Sequence, residues 1–156
     1  MTQPPVPTLY EWAGGKVAFE QLTTVFYERV TAEPLLAPLF AHMAADHPRL
    51  VAAFIAEVLG GPALYSQERG GHHAMILQHL GKHLTEAQRS RWMSLMLECA
   101  NEVGLPADPE FRSAFVGYLE WGTRLAVINS QLDSLPDVDS AMPSWNWGPV
   151  GGPYQG

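Results

Sequence analysis

Apolar residues recur in this chain at intervals of three and four, and over no useful length do they alternate with polar ones. Phe19, Leu22, Phe26 and Val30 fall at i, i+3, i+7 and i+11. His47, Val51, Phe54 and Val58 repeat the spacing, as do Phe111, Phe115, Leu119, Gly122 and Leu125 or Ala126. Trp92, Leu95, Met96 and Cys99 form a fourth stripe. Such spacing puts each set on one face of a 3.6-residue helix, whereas a half-buried strand needs a period of two. The chain is therefore expected to be all-α.

Local signals set the expected boundaries. Residues 8–13 read as a short helix ended by Gly14-Gly15, and 16–31 as a longer one stopped by Glu33-Pro34, since the residue before proline is pushed out of the α region. A turn-rich stretch runs to Phe40. Asp46 is a good N-cap with Pro48 in the first turn behind it, and Gly60-Gly61-Pro62 ends that helix. Residues 62–73 read as a long loop bent at Gly70-Gly71, and about 74–82 as a short helix carrying Met75 and His79 at i, i+4. Thr85 and Gln88 form a capping box, and Gly104-Leu105-Pro106 closes the helix it opens. Asp108-Pro109-Glu110 starts a last helix that runs to about 129. The tail, 131–156, rich in Pro, Gly and Trp, is expected to be irregular. The 156 residues make one domain with its core at about 8–130. Four longer helices allow two antiparallel pairs, and the short segment with His79 is too small to be a core wall.

Composition narrows the function. The chain is 47% hydrophobic and 16% charged, which is enough for a core and too apolar for disorder. A formal charge of −7 and the lack of any Lys/Arg block argue against nucleic acid as a partner. The single cysteine, Cys99, allows no internal disulfide and fits a reducing compartment. The segment MTQPPVPTLY lacks the basic and apolar regions of a signal peptide, and the apolar runs are far too short to span a membrane. A soluble, cytoplasmic protein is expected.

Six histidines are candidate ligands: His42, His47, His72, His73, His79 and His83. Most histidines bind nothing. His79 and His83, at i, i+4, admit a shared zinc ion, but His79-Leu80-Gly81-Lys82-His83 lacks the glutamate of a thermolysin-like site. His72, His73 and His83 read as exposed loop or helix-end residues. His47 and His79, placed on apolar stripes, read either as core histidines or as ligands. A haem pocket would need a neutral imidazole, an apolar slot and a few polar groups. Phe26, Phe40, Val51, Phe54, Met75 and Trp92 suit the slot, and His47, Tyr27 and the Trp92 indole suit the polar groups.

The order of whole segments resembles the group II truncated haemoglobins. The matching pieces are Phe26-Tyr27, Pro38-Leu39-Phe40, Gly60-Gly61-Pro62 with Tyr65-Ser66, Arg69-Gly70-Gly71, His79, and Trp92 thirteen residues beyond it. Residues 118–130 and the aromatic tail Trp145-Asn146-Trp147-Gly148 also look like the family's. The resemblance covers about residues 8–130. It implies a globin-like two-over-two helical sandwich around haem b, with His79 as the proximal iron ligand. Tyr27 and Trp92 then look like distal donors to bound ligand, and Phe40 like the aromatic stacked on the macrocycle. His47 and Val51 look like the distal-helix positions facing iron. A histidine at the His47 position departs from several members, and it makes gating or sixth-ligand roles conceivable. Phe54 and Met75 complete the slot, and Tyr65, Arg69 and Lys82 are the expected propionate partners.

The implied ligands are O2, CO, NO or peroxide. Two or three donors in a dry pocket, each contributing on the order of 1–3 kcal/mol, would slow O2 release by orders of magnitude. The resemblance therefore suits tight O2 binding, storage or sensing. The alternative is redox turnover as an NO dioxygenase or peroxidase-like enzyme fed by an external reductase. The expected assembly is a monomer or homodimer.

Overall fold

The structure, a computed structural model, describes residues 5–134 and 141–155. Among these residues there are seven α-helices and no strand. They are α1 (Leu9–Ala13), α2 (Gly15–Val30), α3 (His47–Val58), α4 (Leu64–Arg69), α5 (His72–Leu77), α6 (Glu86–Glu102) and α7 (Pro109–Ser130). Short 3-10 helices occupy Ala37–Phe40 and Gly148–Val150.

The helix ends follow their capping chemistry. The Thr8 hydroxyl accepts from Glu11 N–H at 3.0 Å while the Glu11 carboxylate accepts from Thr8 N–H, which starts α1. The Thr85–Gln88 box starts α6 as the sequence suggests, and the Asp108 carboxylate accepts from Phe111 N–H to start α7. Asp46 precedes α3 but makes no capping bond. Its carboxylate turns instead to Arg69 at 3.2 Å and Arg49 at 3.8 Å, an exposed cluster that out-competes the local cap.

The α2 stripe is fully buried: Phe19, Leu22, Phe26 and Val30 are all at 0% exposure. Full burial of each such side chain contributes about 1.5–3 kcal/mol. α2 packs on α3 and on α6, and α6 packs on α7, so the helices form two pairs laid against each other. Buried Arg89 ties the second pair by reaching Glu86 on its own helix and Glu120 on α7. Gly60-Gly61 lets α1 lie against the end of α3. A Cβ at Gly61 would sit 2.8 Å from both the Ala56 carbonyl and the Tyr10 ring, and Tyr10 N–H bonds Leu59 O at 2.9 Å across this gap.

Two boundaries differ from the sequence reading. The 62–73 stretch, expected to be loop, contains α4. Its first turn is capped from another helix: the Glu57 carboxylate of α3 accepts from Ser66 N–H at 2.9 Å and pairs with the Ser66 hydroxyl. The expected 74–82 helix is shifted, with α5 ending at Leu77 and His79 in the turns that follow, where His79 N–H bonds Ile76 O at 3.0 Å.

The tail folds back on the helices. Trp145 N–H donates to Val58 O at 2.8 Å, and its ring lies against Tyr118 and Trp121. Trp147 is buried, donates its indole N–H to Pro7 O at 2.8 Å and meets Trp12 edge-on. Apart from Gly148–Val150 the described tail has no helix or strand, as expected, while 135–140 lie outside the described residues. No helix among the described residues is long and apolar enough to cross a membrane.

Candidate functional site

His79 is partly buried in the turn after α5. Its Nδ1 lies 3.0 Å from the Met75 carbonyl. A carbonyl only accepts, so Nδ1 carries the proton and Nε2 keeps its lone pair. Among the described residues Nε2 has no hydrogen-bond partner. Burial lowers the His79 pKa, with the Met75 bond opposing and the charges of Lys82 and His47 adding to the fall. The ring is thus held neutral and oriented, the state in which an imidazole ligates a metal.

Tyr27 and Trp92 come from the long helices. Tyr27 closes the inner face of α2 and is 4% exposed. Burial pushes its phenol pKa well above the usual value, so the hydroxyl remains a donor. Phe26 lies edge-on to both Tyr27 and Trp92, at centroid distances of 5.0 and 5.1 Å, and sets the spacing between them. His47 opens α3, with Nε2 3.2 Å from the Tyr27 hydroxyl. Phe40 meets Tyr27 at 5.5 Å and His47 at 5.9 Å, both edge-on. The structure thus brings Tyr27, Phe40 and His47 into one cluster. Burial also lowers the His47 pKa, with Asp46 opposing and Lys82 adding. The Lys82 charge is therefore felt at both histidines.

Val51 and Phe54 continue the α3 face from His47. Val51 is partly buried, like Leu39, Phe40, Met43, Leu50, Met75 and Trp92, all of which pack on the core yet leave part of their surface uncovered. Phe54 is buried behind this face, edge-on to Tyr65 at 5.0 Å. Tyr65 therefore backs Phe54, and Arg69 is exposed in its ion pair with Asp46. The sequence reading of His72 as an exposed residue is corrected: its half-buried ring lies between Phe54 and Trp121, at 6.4 and 6.2 Å. His73 and His83 are exposed, as expected. His83 Nδ1 lies 3.4 Å from Gln131 Oε1, so the His79 and His83 rings serve different partners. No group of three or more His, Cys, Asp or Glu suited to a metal ion gathers among the described residues. The Met75 carbonyl was missed by sequence reasoning, although its i, i+4 spacing to His79 was the signal that could have found it.

Residues 8–120 match the family described as bacterial-like globin. The group 2 truncated hemoglobin YjbI of Bacillus subtilis is 34% identical over 119 residues, which cover 76% of this chain and 88% of that protein. The group II truncated hemoglobin of Bacillus anthracis superposes with a TM-score of 0.71 at 28% identity, covering 81% of this chain and 93% of that one. The chain belongs to the group II truncated haemoglobins. The hemoglobin of Chloroflexus aurantiacus is also similar, with a TM-score of 0.69 at 32% identity, covering 77% of this chain and 97% of that one. The arrangement of α2, α3, α6 and α7 is this family's two-over-two sandwich. Membership makes this truncated haemoglobin a haem-binding globin, with small gaseous ligands such as O2 as its partners.

Proposed function

We propose that this truncated haemoglobin holds haem b through His79 and binds O2 reversibly and tightly between Tyr27, Trp92 and His47. The observation that carries the reading is the His79 Nδ1–H to Met75 carbonyl bond at 3.0 Å, which leaves the Nε2 lone pair fixed in place on a neutral ring. The rest of the site fits the group. Phe40, Val51 and Met75 offer incompletely buried apolar surface, Phe54 stiffens it from behind, and the Trp92 indole N–H has no protein partner among the described residues. The only cysteine, Cys99, is buried on α6, so a non-covalent b-type haem suits the chain better than a thioether-linked one. Lys82 and Arg69 are the cations offered to the propionates.

When held, haem supplies the iron that takes up a diatomic ligand reversibly. The chain's own groups decide how long the ligand stays. His47 Nε2–H donates to the Tyr27 oxygen, which turns the Tyr27 proton toward the ligand. In this role His47 orients Tyr27 and does not ligate iron. Trp92 N–H is the second donor. Two charge-assisted bonds at about 1–3 kcal/mol each hold a polarised ligand far more tightly than an apolar pocket would. A related protein of this fold, the truncated oxygen-avid haemoglobin of Bacillus subtilis, has a TM-score of 0.69 and 34% identity to this chain.

Stopped-flow O2 dissociation tests the reading. Tyr27→Phe and Trp92→Phe should each speed O2 release by about 5- to 150-fold, the rate equivalent of one such bond. Rates within twofold of the parent in both variants would remove the distal donors from the account.

A further inference from the structure

Beyond α5, the five residues between His79 and Thr85 are bonded to the end of α7 and to little else. Gly81 N–H donates to Leu132 O and His83 N–H to Ser130 O, each at 2.9 Å. Leu84 N–H donates to the Ser130 hydroxyl at 2.9 Å, and the Gln131 side-chain amide donates to Leu84 O at 2.9 Å. The Ser130 hydroxyl in turn donates to Val127 O at 2.7 Å. The last carbonyls of a helix have no partner within it, and this segment supplies the partner of the final one in α7, Ser130 O.

Ser130 is the centre of the joint. It is one of the few polar residues in the described chain at 0% exposure, and both its hydroxyl and its carbonyl face residues 83 and 84. His83 adopts φ +49°, the one non-glycine residue with positive φ among those described. A side chain in that region is strained and persists where surrounding bonds over-determine it. Its own N–H bond to Ser130 O and the Leu84 bond one residue on are such bonds.

We propose that Ser130 is a positioning residue for the His79 imidazole, acting by locking residues 81–84 to the end of α7. His79 is then held from two directions. The Met75 carbonyl sets the ring from the N-terminal side, and the Ser130 joint sets the backbone from the C-terminal side. Groups that orient a ligating histidine commonly change metal affinity by 10–100-fold when removed. The proposal rests on His79 as the haem ligand, and it adds a residue 51 positions away in sequence, on a different helix.

The test uses the haem-loaded protein in three variants: Ser130→Ala, Ser130→Thr and Thr23→Val. Thr23 is a hydroxyl residue of similar burial, 1% exposed, that bonds Glu20 O within α2 and controls for loss of a buried hydroxyl as such. Haemin transfer to excess apomyoglobin and the iron–imidazole stretching frequency of the ferrous protein are measured. Ser130→Ala is expected to lose haemin roughly tenfold or more faster, with a lowered stretching frequency and faster amide exchange at 81–84 in the haem-free protein. Ser130→Thr should restore all three, and Thr23→Val should leave the frequency unmoved. Equal haemin loss and equal frequencies for Ser130→Ala and Thr23→Val would overturn the proposal. The same transfer assay on His79→Ala separates the two claims, because full haemin retention there overturns the ligand assignment itself.

Discussion

Tyr27 and His79 are polar groups on opposite sides of the proposed site, and they stand on very different ground. Tyr27 belongs to a 16-residue helix whose inner stripe is fully buried. Its neighbours Phe26, Phe40 and His47 fix its ring by edge-on packing, and the hydroxyl has a partner in His47. His79 follows a helix of six residues and sits among turns, with Gly70, Gly71, Gly81 and His83 all at positive φ nearby. Its order comes from the Met75 carbonyl behind it and from the α7 joint ahead of it. The proposed distal donors are thus a by-product of the core, whereas the imidazole proposed to ligate haem is held by a few specific hydrogen bonds. Ligand stabilisation should therefore survive conditions that loosen haem attachment.

Phe26→Ala should break that division most severely. It removes a fully buried ring that touches both Tyr27 and Trp92, and a cavity of this kind costs about 3–5 kcal/mol of global stability. Urea unfolding of the haem-free protein should show it. A loss below 1 kcal/mol would mean that the distal side does not draw its rigidity from the core. Gly81→Ala should act on the other side and more gently. Gly81 has φ +71° with no atom within 4 Å of a new Cβ, so the penalty is conformational and amounts to about 1–2 kcal/mol. It should speed haemin loss while leaving the O2 dissociation rate close to the parent's. An O2 rate that shifted as far as the haemin rate would show that the two sides are mechanically one.

The same division explains what could be read in the sequence. The long helices were legible because their stripes, caps and stops are local: Thr85–Gln88, Asp108-Pro109 and Gly60-Gly61 all act within a few residues. The nearness of Tyr27 and Trp92 was legible because both ride on those helices, with Phe26 packed between them. The proximal stretch was read less well because its order comes from elsewhere. The cap of α4 is Glu57 on α3, Asp46 spends its carboxylate on Arg69 and Arg49, and residues 81–84 bond to α7. Helical spacing rules do not anticipate partners that lie on other elements of the fold, such as Glu57 for α4, Arg69 for Asp46 and Ser130 for residues 83 and 84. His72 was misread for the same reason, since the rings that cover it, Phe54 and Trp121, lie on two other helices. The tail's place over α3 and α7 rests on Trp145 and Trp147 finding partners that only the folded chain assembles.

Haemin titration of the haem-free protein, wild type against His79→Gly, followed at the Soret band, tests the central claim most directly. The wild type should saturate stoichiometrically and keep haemin through gel filtration. His79→Gly should lose it, and added imidazole should restore the wild-type spectrum by supplying the missing Nε2. Retention of haemin by His79→Gly with an unchanged spectrum, without imidazole, would contradict the account.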